Sequence, residues 1–504
     1  MFRLDPKQTV IDHVASRKDK ATAGKLSPLA AEIAARPVEP SYSAAVIAGL
    51  AQAIEALLLA LTGFALFMGM GGDPMLHVLT TLGVVAVTEV IATYMRIHRI
   101  AAYRTGIAQL WRSVVAWSVA ISLLYGAALV FDASGALNRP WILAWWATGT
   151  VTLLVFRVIL MQLVRRWTAR GALRRRTVIV GGGKDAEALI ATIAKGAADD
   201  LELIGLFDDR NDDRSPASVA SVPKLGRVAE LVEFARRTRV DLVIVSMPLS
   251  AEKRVLHMLR DLWVLPVDIR LSAHMSKLRF TSKAYSYVGG VPVFDMADRP
   301  ISDWNRVFKW LFDKTVAISA LILLSPVMII TAIAIKLDSK GPVLFVQKRH
   351  GFNNELIGVY KFRSMYTNQV DADAKKLVTR DDPRITPVGR FIRKTSIDEL
   401  PQLFNVLKGE LSIVGPRPHA LQAKADNQLY YEAVEGYFAR HRVKPGMTGW
   451  AQINGWRGET DTVDKIMQRV NCDLYYIENW SLWLDLKIVL LTPMSLFTKN
   501  ENAF

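Results

Sequence analysis

Apolar residues gather near the start of the chain into four long stretches, about 44–70, 76–95, 113–131 and 141–163. Each is close to the roughly 20 residues that a helix needs to cross a bilayer, so the pattern predicts four transmembrane helices. The connection 96–112 carries Arg96, Arg99, Arg104 and Arg112, whereas the connections around Asp73 and from Asp132 to Arg139 hold almost no basic residues. By the positive-inside rule both ends of the four-helix segment then lie in the cytosol. Glu55 and Glu89 fall within the apolar stretches, each nearer the cytosolic end, where snorkelling or a bond to a neighbouring helix accounts for them. The preceding segment, with Arg17-Lys18-Asp19-Lys20, lacks the apolar core of a signal peptide and reads as a disordered cytosolic tail.

After the fourth stretch come six arginines (Arg165, Arg166, Arg170, Arg174, Arg175, Arg176), suited to anionic lipid or simply to water at the cytosolic face. The periodicity then changes. Thr177-Val178-Ile179-Val180 reads as a buried parallel strand, and Gly181, Gly183 and Ala186 open a helix in the form G-x-G-x-x-A, with Asp208 and Asp209 at the distance of a ribose-binding acid. Strands at 241–245 and 267–270 alternate with helical sequence, which predicts a doubly wound, Rossmann-like α/β module. The glycine turn is a possible nucleotide site; a tight turn in a docking or regulatory module is the plainer reading.

A fifth apolar stretch, Thr315 to Ile335, lies between Lys314 and Lys336. Its length fits a spanning helix. Pro326 at its middle removes a backbone hydrogen bond, and Ser325 can re-satisfy the freed carbonyl. Basic residues flank both ends (Arg306, Lys309, Lys314; Lys336, Lys340, Lys348, Arg349), so charge does not favour crossing. A helix broken at Ser325-Pro326 that enters and leaves on one face is the expectation. The expected layout is a tail (1–43), four spans (44–164), the α/β module (165–275), a linker (276–306), a re-entrant membrane helix (307–337) and an α/β-type catalytic domain (338–504).

Composition agrees with this division. The chain is 51% apolar yet 22% charged, and its formal charge of +16 suits anionic lipid and phosphorylated substrates rather than nucleic acid. The lone Cys472 excludes an internal disulfide framework and a cysteine-rich metal site.

Chemistry concentrates after residue 338. Lys361 and Arg363, two apart on an extended strand, share a side and suit a diphosphate. Arg390, Arg393 and Lys394 follow, and Arg417 stands between two prolines that restrict its backbone. In Ser396-Ile397-Asp398-Glu399-Leu400-Pro401, Ser396 with Glu399 can form an ordinary capping box. With Asp398 as N-cap instead, Pro401 falls in the tolerated first turn. Either register puts both carboxylates at a helix N-terminus, where an ionised aspartate beside a phosphoryl group can act as nucleophile and Glu399 can bind Mg²⁺. Trp450 and Trp456 can stack on a base or sugar, and Trp480 and Trp483 suit the membrane interface ahead of a surface-lying helix over 480–497.

Three segments, Asp398 to Pro418 (DELPQLFNVLKGELSIVGPRP), Lys361 to Met365 (KFRSM) and Lys444 to Gln452 (KPGMTGWAQ), resemble the bacterial polyprenyl-phosphate hexose-1-phosphate transferases, or monotopic phosphoglycosyl transferases. The whole chain is similar to the large members, with four spans, a Rossmann-like module and a catalytic domain on a helix broken at a Ser-Pro pair. The resemblance implies that Asp398 is the nucleophile, that Glu399 assists with Mg²⁺ (Asp398 beside it), and that Lys361, Arg393 and Arg417 contact substrate phosphates. The segments 454–462 and 475–483 look most like the undecaprenyl-phosphate glucose phosphotransferase branch, which starts exopolysaccharide assembly. Implied partners are a UDP-sugar, undecaprenyl phosphate and the lipid bilayer, at the bacterial inner membrane with the catalytic domain facing the cytosol. The exact sugar (glucose, with galactose the alternative) and the oligomeric state, a homo-oligomer included, stay open. An oxidoreductase or epimerase using the glycine turn, and a non-enzymatic membrane scaffold, are the rival readings.

Overall fold

The computed structural model describes residues 26–70, 73–130, 139–195, 200–210, 217–247, 252–272, 286–288, 291–367, 382–419, 424–425, 428–434, 436–456, 458 and 462–498. Arg17 to Lys20, Asp132, and much of the expected linker lie outside them. The chain divides into two compact units, Pro37–Arg175 and Met1–Arg36 with Arg176–Phe504.

The first unit is built on four apolar helices, Ala44–Met70, Pro74–Tyr94, Ile107–Val130 and Arg139–Ala169. Five helices in the described residues are long and apolar enough to cross a membrane, these four and Asp303–Asp338. Trp117, Trp141 and Trp145 fill the bundle core, and each indole N–H finds a backbone carbonyl: Trp141 donates to Gly63 at 3.0 Å and Trp145 to Leu59 at 3.0 Å. Gly63 is required there, because a Cβ would come within 2.9 Å of the Trp145 ring. Glu55 does not snorkel: it is buried and accepts both of its bonds from Arg157 Nη2, at 2.7 and 2.6 Å. Glu89 lies 3.2 Å from His98. For Glu55 the interhelical reading holds, as hydrocarbon surroundings require of a charge, whereas the partner of Glu89 stands in the turn that follows its own helix.

In the second unit, eight strands form one sheet: β1 (Arg175–Val180), β2 (Leu201–Phe207), β3 (Ser218–Val219), β4 (Val222–Gly226), β5 (Leu242–Val245), β6 (Asp268–Ser272), β7 (Ser286–Val288) and β8 (Val291–Ala297). Their order is β3-β4-β2-β1-β5-β6-β8-β7. β1 pairs parallel with β5 (Val178 opposite Val243) and β5 parallel with β6, so the central strands are apolar on both faces, as a sheet covered by helices demands. Two expectations need correction. Within the expected linker, 286–288 and 291–297 are strands that extend the sheet, the second of them antiparallel to β6. Within the expected tail, Pro28–Ala35 is a helix that buries Ala30 and Ile33 against the same core as Leu225 and Leu231. Ser27 caps it, accepting from Ala30 N at 3.1 Å and donating to Leu225 O at 2.6 Å.

The helix Asp303–Asp338 is continuous, with Pro326 inside it, and is not interrupted at Ser325-Pro326 as expected. Pro326 has no N–H for the carbonyl of Ile322; the Ser325 hydroxyl donates to that carbonyl at 2.9 Å instead, which lets the helix run on. Both ends pack on one protein body. Lys309 donates to Val414 O at 3.0 Å and Asp313 accepts from Ile413 N at 3.1 Å, while beyond Pro326 Ile335 is buried with Phe362 and Ile392. Between these ends Ile322, Leu323, Ile329 and Ile330 are exposed.

Around this helix stand a hairpin of β9 (Leu344–His350) and β10 (Leu356–Phe362), helices Pro387–Lys394, Gln402–Lys408 and Val463–Glu478, and the short parallel strands Ser412–Val414 and Gly446–Thr448. Their shared core holds Ala317, Leu403, Val414, Tyr476 and Ile488.

Candidate active site

Asp398 and Glu399 sit in a single 3-10 turn, Ile397–Glu399, that precedes helix Gln402–Lys408. Neither capping register forms: Ser396 has φ 57 and makes no cap bond, and Pro401 occupies the N-cap position of the following helix. The left-handed Ser396 turns the chain sharply after helix Pro387–Lys394, and this presents the two carboxylates to β10. Lys361, near the end of β10, donates to Glu399 Oε1 at 2.9 Å and stands 3.8 Å from Asp398 Oδ2. Arg417 donates to both Glu399 oxygens, at 3.1 Å to Oε2.

Electrostatics separate the two acids. Burial would raise Glu399, but Arg417 and Lys361 outweigh it and hold its carboxyl well below the usual range. Asp398 is pushed up by burial and by Glu399, against the pull of Lys361, Arg393 and Arg417. Lys361 is lowered by burial despite the two acids. Arg349 on β9 also faces the pair; burial and the Arg417 charge bring it down to about 10. Four cations (Lys361, Arg349, Arg393, Arg417) thus surround two carboxylates, a surplus of positive charge that fits a diphosphate.

Arg363 is not among them. β10 ends at Phe362, so strand alternation does not extend to Arg363. Its guanidinium donates to Ser339 O at 2.8 Å and to Lys340 O, closing the C-terminus of the helix Asp303–Asp338. Arg363→Met is expected to lower stability by about 2 kcal/mol through the orphaned carbonyls, with KM for the substrate little changed. Thermal unfolding and steady-state kinetics check this; a tenfold KM rise with unchanged unfolding would restore Arg363 as a substrate ligand.

A second buried layer, not read from the sequence, holds the first. Arg440 donates to the Arg417 carbonyl at 2.8 Å and pairs with Asp473, its Nε at 3.0 Å. Arg349 donates to Pro418 O and, at 2.8 Å, to Gln347 Oε1. His419, between Arg440 (2.6 Å) and Arg469 (3.4 Å), is kept well below its ordinary range by burial and these charges, and so stays a neutral imidazole. The only sequence signal for this layer was the basic density around each position. Of the aromatic candidates, Trp450 stacks on Tyr475 at 5.6 Å, Trp480 donates to Asp485 at 3.2 Å, and Trp483 is exposed.

The glycine turn of the α/β module closes on itself. Gly181 and Gly183 have the expected positive φ. Gly182 N donates to Asp208 Oδ2 at 3.1 Å and Arg210 donates to Gly182 O at 2.7 Å, so the peptide N–H that a pyrophosphate would use is taken.

A buried carboxylate pair ringed by a surplus of cations, beside a helix long and apolar enough to cross a membrane, is the arrangement of a membrane-associated enzyme acting on an anionic substrate. Residues 304–499 match the family described as bacterial sugar transferase, and residues 95–273 one described as CoA-binding domain. An undecaprenyl-phosphate glucose phosphotransferase of Komagataeibacter xylinus is 42% identical over 70% of this chain, which spans 65% of that relative. UDP-glucose:undecaprenyl-phosphate glucose-1-phosphate transferases of Escherichia coli (strain K12) and Klebsiella pneumoniae are 38% and 36% identical, over 76% and 77% of this chain and 81% of each relative. The chain belongs to the bacterial polyprenyl-phosphate hexose-1-phosphate transferase family.

Proposed function

We propose that the protein transfers glucose-1-phosphate from UDP-glucose to undecaprenyl phosphate, as the first step of exopolysaccharide synthesis, through an aspartyl phosphosugar. The observation that carries the chemistry is Asp398 and Glu399 together under Lys361 and Arg417; the printed activities of the relatives support the substrates. An Asp398 oxygen attacks the β-phosphorus, the bond to the bridging oxygen breaks, and UMP leaves with the electron pair. The polyprenyl phosphate oxygen then attacks the same phosphorus and returns the carboxylate. Arg349, Arg393 and Arg417 offset the diphosphate charge. Mg²⁺ fits here, since it takes one or two carboxylates plus substrate phosphate oxygens; Glu399 with Asp398 would hold it, and it would neutralise charge on the leaving UMP. Transfer of radiolabelled sugar-phosphate from a panel of UDP-sugars tests the reading, and activity with UDP-galactose but not UDP-glucose would overturn the sugar.

The nucleophile must be ionised, and burial raises Asp398, so activity is present above its pKa and lost as pH falls through it. The acid limb of UMP release is expected above the value of about 3.9 for a free aspartate. Lys361→Met is expected to move the limb to higher pH, since the charge that opposes burial is gone; a limb that stays put sinks the assignment to Asp398.

The proposed topology has four spans with both ends cytosolic and a fifth apolar helix, Asp303–Asp338, that dips into the cytosolic leaflet. The docking of both its ends on one body, with exposed apolar residues between, supports re-entry. A cysteine at Lys340, in a Cys472→Ser background, is expected to label from the cytosolic side alone; periplasmic labelling contradicts the topology.

A further inference from the structure

A cavity of about 540 Å³ lies at the foot of the helix Asp303–Asp338, away from Asp398 and Glu399 and lined by none of the residues around them. Its wall carries Arg299, Arg306, Lys309, Lys314, Arg442 and Lys444, against the single acid Asp313. That acid is engaged: it accepts from Ser412 Oγ at 3.0 Å and Ile413 N at 3.1 Å, and Lys309 lies 3.2 Å away. Two of the cations are neutralised locally, Lys309 by Asp485 at 2.7 Å and Arg299 by Asp241 at 3.2 Å. The other four form no ion pair among the described residues. Lys314 donates only to the carbonyls of Val406 and Leu407, and Arg442 to Asp298 O at 3.1 Å while stacking over Trp263. Asp241 and Asp303 lie near enough to Arg306 to act on its charge, without an ion pair. Lys444 has Asp313 near it but also three like charges, Lys314, Arg306 and Lys309, and Glu478 lies near enough to Arg442 to act on its charge without an ion pair.

Most of the rest of the wall is apolar, including Ile301, Val307, Trp310, Leu411 and Val443, with Ser412 and Tyr476 the polar exceptions. Trp310 is more than half exposed, as is Leu311 beside it, on the stretch of helix whose other face packs on the protein body through Lys309, Asp313 and Ala317. Unneutralised cations above an apolar wall at the root of a membrane helix match one ligand chemistry, a phosphodiester headgroup with acyl chains. A soluble sugar nucleotide would leave the apolar wall unused.

We propose that this cavity binds an anionic phospholipid of the bilayer, with Arg306, Lys314, Arg442 and Lys444 on its phosphate and Trp310 against its chains. The site also gives Lys444, in a motif that the transfer chemistry does not use, a role of its own.

The test uses the full chain in detergent with photo-crosslinkable phosphatidylglycerol and phosphatidylcholine, the labelled peptides being mapped by mass spectrometry. Phosphatidylglycerol is expected to label 299–314 and 442–444 in preference to phosphatidylcholine, and unlabelled phosphatidylglycerol to compete. Removing two charge-assisted contacts in Arg306→Gln with Lys444→Gln is expected to weaken labelling at least roughly tenfold. Arg306→Lys with Lys444→Arg is expected to restore it, and Lys195→Gln, a distant exposed lysine, to leave it unchanged. Unfolding temperature is followed for each variant; if the pair unfolds, Lys444→Gln alone carries the comparison, with its weakened labelling expected and full labelling fatal. Equal labelling by phosphatidylcholine, labelling elsewhere, or stronger competition by undecaprenyl phosphate or inorganic phosphate overturns the proposal. None of these outcomes depends on sugar transfer, so the proposed reaction stands or falls separately.

Discussion

Asp398→Asn is expected to slow UMP release from UDP-glucose by about ten-thousandfold or more, and to abolish labelling of the protein by sugar-phosphate. Asparagine keeps the shape of the side chain within the Ile397–Glu399 turn, and Lys361 and Arg417 still hold Glu399. What is lost is the negative oxygen that attacks phosphorus, and removal of a nucleophile leaves only the charge stabilisation of its surroundings. Two displacements at one phosphorus also imply ping-pong kinetics, with UMP released before the lipid phosphate binds. Direct attack by the lipid phosphate predicts a ternary complex and a much smaller effect, because Asp398 would then only position substrate. Sequential kinetics, or a substantial rate in Asp398→Asn, removes the covalent step while leaving the enzyme class intact.

Different parts of this chain were legible in the sequence for different physical reasons. The first two apolar helices were read to within two residues of their ends, because hydrocarbon forces every backbone group into a helix, whereas the third, fourth and fifth run six to twelve residues past the apolar stretches, where polar sequence outside the hydrocarbon continues them. The α/β module was equally plain in its buried strands, but its last two strands fell in a stretch with no alternation to mark them. Helix Pro28–Ala35 was missed because eight residues give too short an apolar face, although Ser27-Pro28 is a fair start signal. In the site, Asp398, Glu399 and Lys361 were found and do converge. Arg363 was misplaced, since a rule of alternation was carried one residue past the end of its strand. Arg440 and Asp473 went unread, and Arg349 was read only as charge flanking the fifth apolar stretch, because nothing local sets them apart. They meet only when β9, the segment Tyr437–Arg442 and helix Val463–Glu478 pack together.

That packed layer carries the second large effect. Arg440 and Asp473 are both almost fully buried, and Arg440 spends its remaining donors on the Arg417 carbonyl and on His419. Arg440→Met leaves the Asp473 carboxylate without its partner in a dry interior, where burial already pushes its pKa up. The loss is expected to be about 3–5 kcal/mol, or roughly 10 °C in the midpoint of unfolding for a domain of this size. Asp473→Leu alone strands the guanidinium and should cost a similar amount. The double variant Arg440→Met with Asp473→Leu buries no charge, so most of the stability should return, as it does when a buried ion pair is replaced by apolar side chains. Activity should not return with it. Without Arg440 the carbonyl of Arg417 loses its anchor, and the guanidinium that clamps Glu399 is held only from the Arg349 side. A double variant with native unfolding but a lower kcat therefore separates the two roles of Arg440, and one that regains both shows that the layer supports the fold alone.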